Sequence, residues 1–154
     1  MAQIKVCGFP QGLEASIVEI RSVGQQMTCQ EMRSKLCVRN DLDCDLAFVK
    51  LDKGYFSGDV CDYSLSQQKE MPLGCLIELK GLHANHAVNQ LLRTFEQLRT
   101  SGVTVVYKTA VVASRRGSNI PSSEWMKSVK FFKKRGVDLM RKGSNQDAKA
   151  SELL

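Results

Sequence analysis

The apolar positions along the chain change between helical and strand-like spacing. Between residues 13 and 37 they recur every three or four residues, which predicts a helix with a break at Gly24. The apolar side chains that carry this prediction are Leu13, Ile17, Ile20, Val23 and Met27. Three strands are then predicted, at residues 45–52, 55–65 and 75–80. The short connections between them favour an antiparallel meander.

The second half of the chain alternates helices with a strand. Helices are predicted over residues 83–100 and 122–135, on either side of a β-branched strand at 104–113. The third strand, the first of these helices and the strand at 104–113 form a crossover unit, so the two strands should be parallel. We therefore expect an α/β fold with a central mixed sheet of about four strands flanked by helices. Residues 1–142 should form one domain, and residues 143–154 a polar, flexible tail.

Composition narrows the class of protein. Of the 154 residues, 43% are hydrophobic and 25% are charged, as in ordinary globular domains. No apolar run approaches the roughly 18 residues of a membrane span, and the first residues lack the pattern of a signal peptide. We therefore expect an intracellular, cytoplasmic protein. The six cysteines lack the paired spacing of a zinc site, which indicates reduced thiols.

Positive charge is concentrated in one part of the chain. The net charge is +6, and residues 115–142 contain nine basic and two acidic residues, a net charge of +7. Such a cluster attracts phosphate backbones, although a solvated helix face would show the same pattern. The residues that we expect to bind nucleic acid are Arg115 and Arg116, after the central strand, and Lys130, Lys133 and Lys134, on the last helix.

Three charged residues on neighbouring strands form the candidate catalytic constellation. Strand alternation puts Glu78 and Lys80 on the same face, and Asp62 is an isolated acid on the preceding strand. If the two strands pair, both carboxylates can bind one Mg²⁺, which takes oxygen ligands. Lys80 would position the attacking water or offset the charge that develops on the phosphate.

These residues resemble the motif of the PD-(D/E)XK nuclease superfamily. The similarity rests on residues 61–63, on Ile77-Glu78-Leu79-Lys80-Gly81 and on the following helix, and it spans roughly residues 30–115. No proline precedes Asp62, although many members of the superfamily also lack it. The resemblance implies a restriction-endonuclease-like core in which Asp62 and Glu78 hold the metal and Lys80 is the catalytic lysine. It also implies that Gln90 faces the active site.

An acid from the first predicted segment often completes such a site. The candidates are Glu14, Glu19 and Glu31, of which Glu31 lies nearest the predicted core. His83 and His86, three residues apart at the start of the predicted helix, are candidate phosphate contacts. The sequence alone does not choose among Glu14, Glu19 and Glu31.

The function that follows is an Mg²⁺-dependent nuclease, with Mn²⁺ as a substitute metal and DNA favoured over RNA. The alternative is a non-catalytic domain on a degenerate nuclease core that binds nucleic acid, or that binds and inhibits a protein. Whether the chain forms a homodimer stays open. Metal-dependent cleavage would discriminate the two functions.

Overall fold

The computed structural model describes residues 5–10, 17–31, 34–51, 60–80, 86–114, 121–143 and 146–154, and the structural statements below concern these residues. They form nine strands and three helices. In chain order these are β1 (Ile17–Arg21), β2 (Gln26–Glu31), β3 (Ser34–Arg39), β4 (Leu46–Lys50), β5 (Tyr63–Gln67), β6 (Leu73–Lys80), α1 (Ala87–Thr100), β7 (Val106–Ser114), α2 (Ser122–Lys133), β8 (Asp138–Gly143), β9 (Gln146–Lys149) and α3 (Ala150–Leu153).

The larger sheet is mixed and has the strand order β1-β4-β5-β6-β7-β8. Strands β4, β5 and β6 form the predicted antiparallel meander. Strands β6 and β7 are parallel, as predicted for the crossover through α1, and β8 is parallel to β7. The α/β class is therefore confirmed, although the sheet has six strands where about four were expected.

The predicted helix over residues 13–37 is wrong. Within its described part the chain forms β1, β2 and β3, and Gly24 lies between β1 and β2 with a φ of 86°. Strands β2 and β3 pair as an antiparallel hairpin and bury every second side chain. Positive φ suits glycine because it has no Cβ, so the residue expected to break a helix instead serves a turn.

The end of the chain also differs from the expected flexible tail. Residues 146–154 form β9 and the short helix α3, and β9 pairs in parallel with β3 to complete a second, three-stranded sheet. Ala150 and Leu153 are fully buried in this layer. Ser151 donates hydrogen bonds from its backbone N–H and its hydroxyl to Asp41, which attaches α3 to the loop after β3.

The six-stranded sheet is covered on both faces. On one face Leu76 of β6 packs with Leu91 of α1 and Phe132 of α2. On the other face Ile77 packs with Leu36 of β3 and Leu153 of α3. Strands β6 and β7 are consequently buried on both faces, which explains their nearly continuous apolar sequences. We call these two faces the helix face and the small-sheet face.

Strand direction defines two edges of the larger sheet. At the carboxyl edge β4, β6, β7 and β8 end and β1 and β5 begin. At the opposite, amino edge β6, β7 and β8 begin. Helices α1 and α2 follow strands that end at the carboxyl edge and precede strands that begin at the amino edge. Each helix therefore starts near the carboxyl edge and ends near the amino edge.

Candidate functional site

Glu78 and Lys80 lie at the carboxyl end of β6. Alternation along β6 puts Cys75, Ile77 and Leu79 on the small-sheet face and Leu76 on the helix face. Glu78 and Lys80 share the face of Leu76. Glu78 is only 1% exposed, whereas Lys80 is half-buried at the rim. The strand thus holds a buried carboxylate next to an accessible ammonium.

Asp62 directly precedes β5, the antiparallel neighbour of β6. Because Tyr63 pairs with Ile77, extending the ladder by one position places Asp62 opposite Glu78. Asp62 is 6% exposed, and its Oδ2 accepts a 2.8 Å hydrogen bond from the backbone N–H of Leu79. Its side chain thus satisfies a buried donor at the end of the sheet. This contact fixes the orientation of the carboxylate. It also gives Asp62 a structural role that is independent of metal binding.

Cys61, directly before Asp62, is fully buried and is connected to α1. Burial raises the pKa of the Cys61 thiol well above its usual value, and the Glu78 carboxylate and then that of Asp62 act in the same direction. The Cys61 backbone N–H donates a 2.7 Å hydrogen bond to Thr94 Oγ1, and this hydroxyl donates to the backbone oxygen of Gln90. Thr94 therefore connects the segment carrying Asp62 to α1.

A pocket of about 290 Å³ adjoins Lys80 at the start of α1. We call it the Lys80 pocket, and its lining residues are Lys80, His86, Asn89, Gln90 and Arg93. Gln90 therefore lies beside Lys80, where the resemblance expects it. Its Oε1 is buried and has no hydrogen-bond partner among the described residues. His86 occupies the N-cap position of α1, and His83 lies outside the described residues.

The structure does not bring a third acid from β1 or β2 to this pair. Glu31 forms a 3.4 Å ion pair with Lys50, which belongs to the small-sheet face and lies over the ring of Tyr63. Glu19 pairs with Arg21 at 2.9 Å, and Glu14 lies outside the described residues. Among the described residues there is no group of three or more His, Cys, Asp and Glu side chains that could hold a metal. The ion pair with Lys50 accounts for Glu31 without a metal.

The basic residues predicted to bind nucleic acid are separated from this pair. Lys130, Lys133 and Lys134 are exposed at the carboxyl end of α2, immediately before β8 begins. That is the amino edge, and Glu78 lies five residues beyond the start of β6 at Leu73, a distance of roughly 16 Å at about 3.3 Å per strand residue. Arg115 and Arg116 directly follow Ser114 in the chain but lie outside the described residues.

Two polar residues at the carboxyl edge were missed by the sequence analysis. Ser114 of β7 is in register with Lys80, and its Oγ accepts a 3.4 Å hydrogen bond from Nε of Arg141 on β8. Arg141 lies on the helix face, two positions after the buried Leu139. The alternation of Val137, Leu139 and Arg141 was the signal for β8, but it was hidden within a basic segment.

Comparisons with protein-family models, with curated proteins and with solved structures gave no match to this chain. None of the helices in the described ranges is long and apolar enough to cross a membrane. The geometry of the carboxyl edge is therefore the basis for the functional proposal that follows.

Proposed function

We propose that the protein is an Mg²⁺-dependent nuclease with a restriction-endonuclease-like core. The observation that carries the proposal is the pair of buried carboxylates, Asp62 and Glu78, at facing positions on neighbouring parts of the sheet. Lys80 follows Glu78 by two residues and lies on the same face of β6. Two carboxylates at neighbouring positions can share one divalent cation, which offsets the charge of both.

The donor set fits Mg²⁺ better than it fits a transition metal. Mg²⁺ commonly takes one or two protein carboxylates and completes its shell with water and phosphate oxygens, so two acids suffice. A structural zinc site would need four protein ligands, mostly Cys and His, and the described residues contain no such group. Bound there, Mg²⁺ would polarise the scissile phosphate and lower the pKa of a coordinated water.

Each residue of the site has a defined part in this proposal. Asp62 and Glu78 would hold the cation, with Asp62 oriented by the Leu79 N–H. Lys80, at the accessible rim, would position the attacking water and offset the developing negative charge on the phosphate. Gln90 would contact the substrate from α1. The positive net charge of +6 favours association with a polyanion, and we propose DNA ahead of RNA.

A cleavage assay with the purified wild-type chain tests the proposal. Linear, branched and single-stranded DNA and a folded RNA are incubated with Mg²⁺ or Mn²⁺, with Ca²⁺, and with EDTA. We expect cleavage with Mg²⁺ or Mn²⁺ and none with EDTA. Ca²⁺, which takes more ligands at longer distances, should support binding better than turnover.

A non-catalytic binding domain is the second candidate function. It is favoured by the lack of a third metal-binding acid among the described residues and by the structural hydrogen bond that Asp62 already accepts. Salt-dependent binding of nucleic acid without cleavage under any metal condition would support this candidate and overturn the nuclease proposal.

A further inference from the structure

The Lys80 pocket has the chemistry of an anion site. Lys80 and Arg93 bring positive charge, and His86 and Asn89 bring N–H donors. None of the described side chains that line it is a carboxylate. Its volume of about 290 Å³ lies at the lower limit of the roughly 300–1,000 Å³ typical of small-ligand pockets. A phosphate group with part of its sugar is a suitable occupant, whereas a duplex is too large.

Gln90 gives an independent indication of a ligand. Its Oε1 is buried without a hydrogen-bond partner among the described residues. Buried polar atoms in native proteins nearly always have a partner, because leaving one unsatisfied is costly. Rotation of the side-chain amide exchanges the positions of its oxygen and its nitrogen. Gln90 can therefore accept from a sugar hydroxyl or, when rotated, donate N–H to a phosphate oxygen.

We propose that the Lys80 pocket binds a phosphate group of the nucleic acid next to the phosphate that is cut. This inference rests on the proposed nuclease function and adds a second contact to it. Arg93 would form charge-assisted hydrogen bonds with the phosphate oxygens, and the positive charge of the nearby Lys80 would add to the attraction. The first turn of α1 contains no acidic residue, so the helix dipole also favours an anion there. Such a contact would set the register of the strand relative to the carboxylate pair.

The carboxylate pair is negative and the Lys80 pocket is positive, so an experiment can distinguish phosphate binding at one from binding at the other. Without a divalent cation, Asp62 and Glu78 repel a phosphate. Phosphate binding in EDTA therefore reports on the Lys80 pocket rather than on the carboxylate pair. This makes the test independent of whether the protein cleaves anything.

Calorimetric titration with thymidine 3′,5′-bisphosphate in EDTA tests the pocket. We expect the wild type to bind it, and Arg93→Gln to weaken binding by about tenfold or more, because a charge-assisted contact is lost. Asn89→Asp should weaken binding similarly by adding a negative charge to the pocket, whereas Asn89→Ser should have a much smaller effect. The matched control is Arg99→Gln, which removes an exposed cation from the last turn of the same helix and should change affinity by less than about twofold.

Three results would overturn the inference: no binding by the folded wild type, unchanged affinity in Arg93→Gln, or equal losses in Arg93→Gln and Arg99→Gln. Circular dichroism of each variant establishes that it is folded. Metal-dependent cleavage by the wild type with unchanged binding in Arg93→Gln would refute the pocket and leave the nuclease function intact. Binding that depends on Arg93, in a protein that cleaves no substrate, would support the pocket and refute the nuclease function.

Discussion

The two edges of the six-stranded sheet carry charged residues in different settings. At the carboxyl edge Asp62 and Glu78 are almost completely buried, and a hydrogen bond from Leu79 fixes one of them. Near the amino edge Lys130, Lys133 and Lys134 project into solvent from the end of α2. The lysines form the more conspicuous cluster in the sequence, whereas the two carboxylates are buried and one of them is held by a hydrogen bond.

The two edges differ in how strongly water screens their charges and in how rigidly their charged side chains are held. Charges in a water-excluded setting interact several-fold more strongly than exposed charges, which water and salt screen. A buried, hydrogen-bonded carboxylate also needs little reorganisation when it binds a cation. Exposed lysines on long side chains instead provide attraction without fixed geometry. We therefore propose that the nuclease reaction takes place at the carboxyl edge and that the end of α2 provides general attraction for nucleic acid.

The largest effect is expected from Glu78→Gln and Lys80→Ala. Each should lower metal-dependent cleavage at least about a hundredfold, since the first removes a ligand of the proposed cation and the second removes the charge that offsets the developing charge on the phosphate. Initial rates of DNA cleavage at saturating Mg²⁺ provide the measurement. The matched controls are Glu96→Gln and Lys108→Ala, which neutralise exposed residues away from the site and should retain wild-type rates. Equal losses in the controls would contradict the assignment of turnover to the carboxyl edge.

The next largest effect separates the two roles of Asp62. Asp62→Ala should lower the free energy of unfolding by about 1–3 kcal/mol, because the buried Leu79 N–H loses its acceptor. Asp62→Asn keeps an acceptor oxygen and removes repulsion with Glu78, so its stability should be at or above that of the wild type. Both variants should be inactive. Urea denaturation and cleavage rates provide the two measurements.

An exposed acid near the amino edge serves as the control for Asp62. Asp138→Ala should change the free energy of unfolding by less than about 0.5 kcal/mol, as surface substitutions usually do. If Asp62→Ala is as stable as Asp62→Asn, the hydrogen bond to Leu79 contributes nothing. If Asp62→Asn keeps full activity, Asp62 is not a metal ligand.

Much of the central fold could be predicted because its local patterns are unambiguous. Strands β6 and β7 are continuous apolar segments, and between them α1 runs for 14 residues with a clear apolar face. Asp62, Glu78 and Lys80 were singled out from strand alternation and from the short connection between neighbouring strands, and the structure places Asp62 directly before β5 and the other two on β6. Local spacing was sufficient to place them on neighbouring elements because these elements are consecutive in the chain.

Strand β1 and the small sheet could not be predicted because their strands are short and their pairing is non-local. Ile17, Ile20 and Val23 have helical spacing, although Ile17 and Val23 are exposed on β1 and after it. In β2 and β3 alternate residues are buried only because these strands pack on the larger sheet. Strand β9 gains its place by pairing with β3, more than 100 residues earlier in the chain. Tertiary contacts decided these elements, and local propensity did not.

The partner of Glu31 and the position of the α2 lysines depend on the same non-local arrangement. Glu31 was one of three candidate acids for the proposed metal because it lay on a predicted helix, whereas in the hairpin it pairs with Lys50. The lysines were grouped with Arg115 by sequence distance. The direction of α2 places them at the other edge of the sheet, and this became apparent only once β8 was known to be parallel to β7.

A smaller effect is expected from Ser34→Ala. The buried Ser34 hydroxyl donates a 2.7 Å hydrogen bond to the backbone oxygen of Lys80 and so connects the small sheet to the carboxyl edge. Its loss should lower the free energy of unfolding by about 1 kcal/mol and reduce turnover by less than about tenfold. The control is Ser128→Ala, which removes an exposed serine-to-carbonyl hydrogen bond in α2. Urea denaturation should show a clear change only for Ser34→Ala.

The smallest effect on turnover is expected from neutralising the lysines at the end of α2. Replacing Lys130, Lys133 and Lys134 with Gln should weaken binding to every nucleic acid by a similar factor and leave the maximal cleavage rate unchanged. Each lost phosphate contact should reduce the slope of log affinity against log salt by roughly 0.7 to 0.9, because fewer counterions are released. Fluorescence anisotropy at several salt concentrations measures this slope.

A second triple variant distinguishes position from net charge in this experiment. Replacing Lys5, Lys35 and Lys69 with Gln removes the same charge from exposed sites on other parts of the chain. If both variants flatten the salt dependence equally, the end of α2 acts only through the net charge of the protein. If the α2 variant alone flattens it, these lysines contact the phosphate backbone. A fall in the maximal cleavage rate of the α2 variant would contradict the separation of the two edges, because it would place these lysines in the chemistry itself.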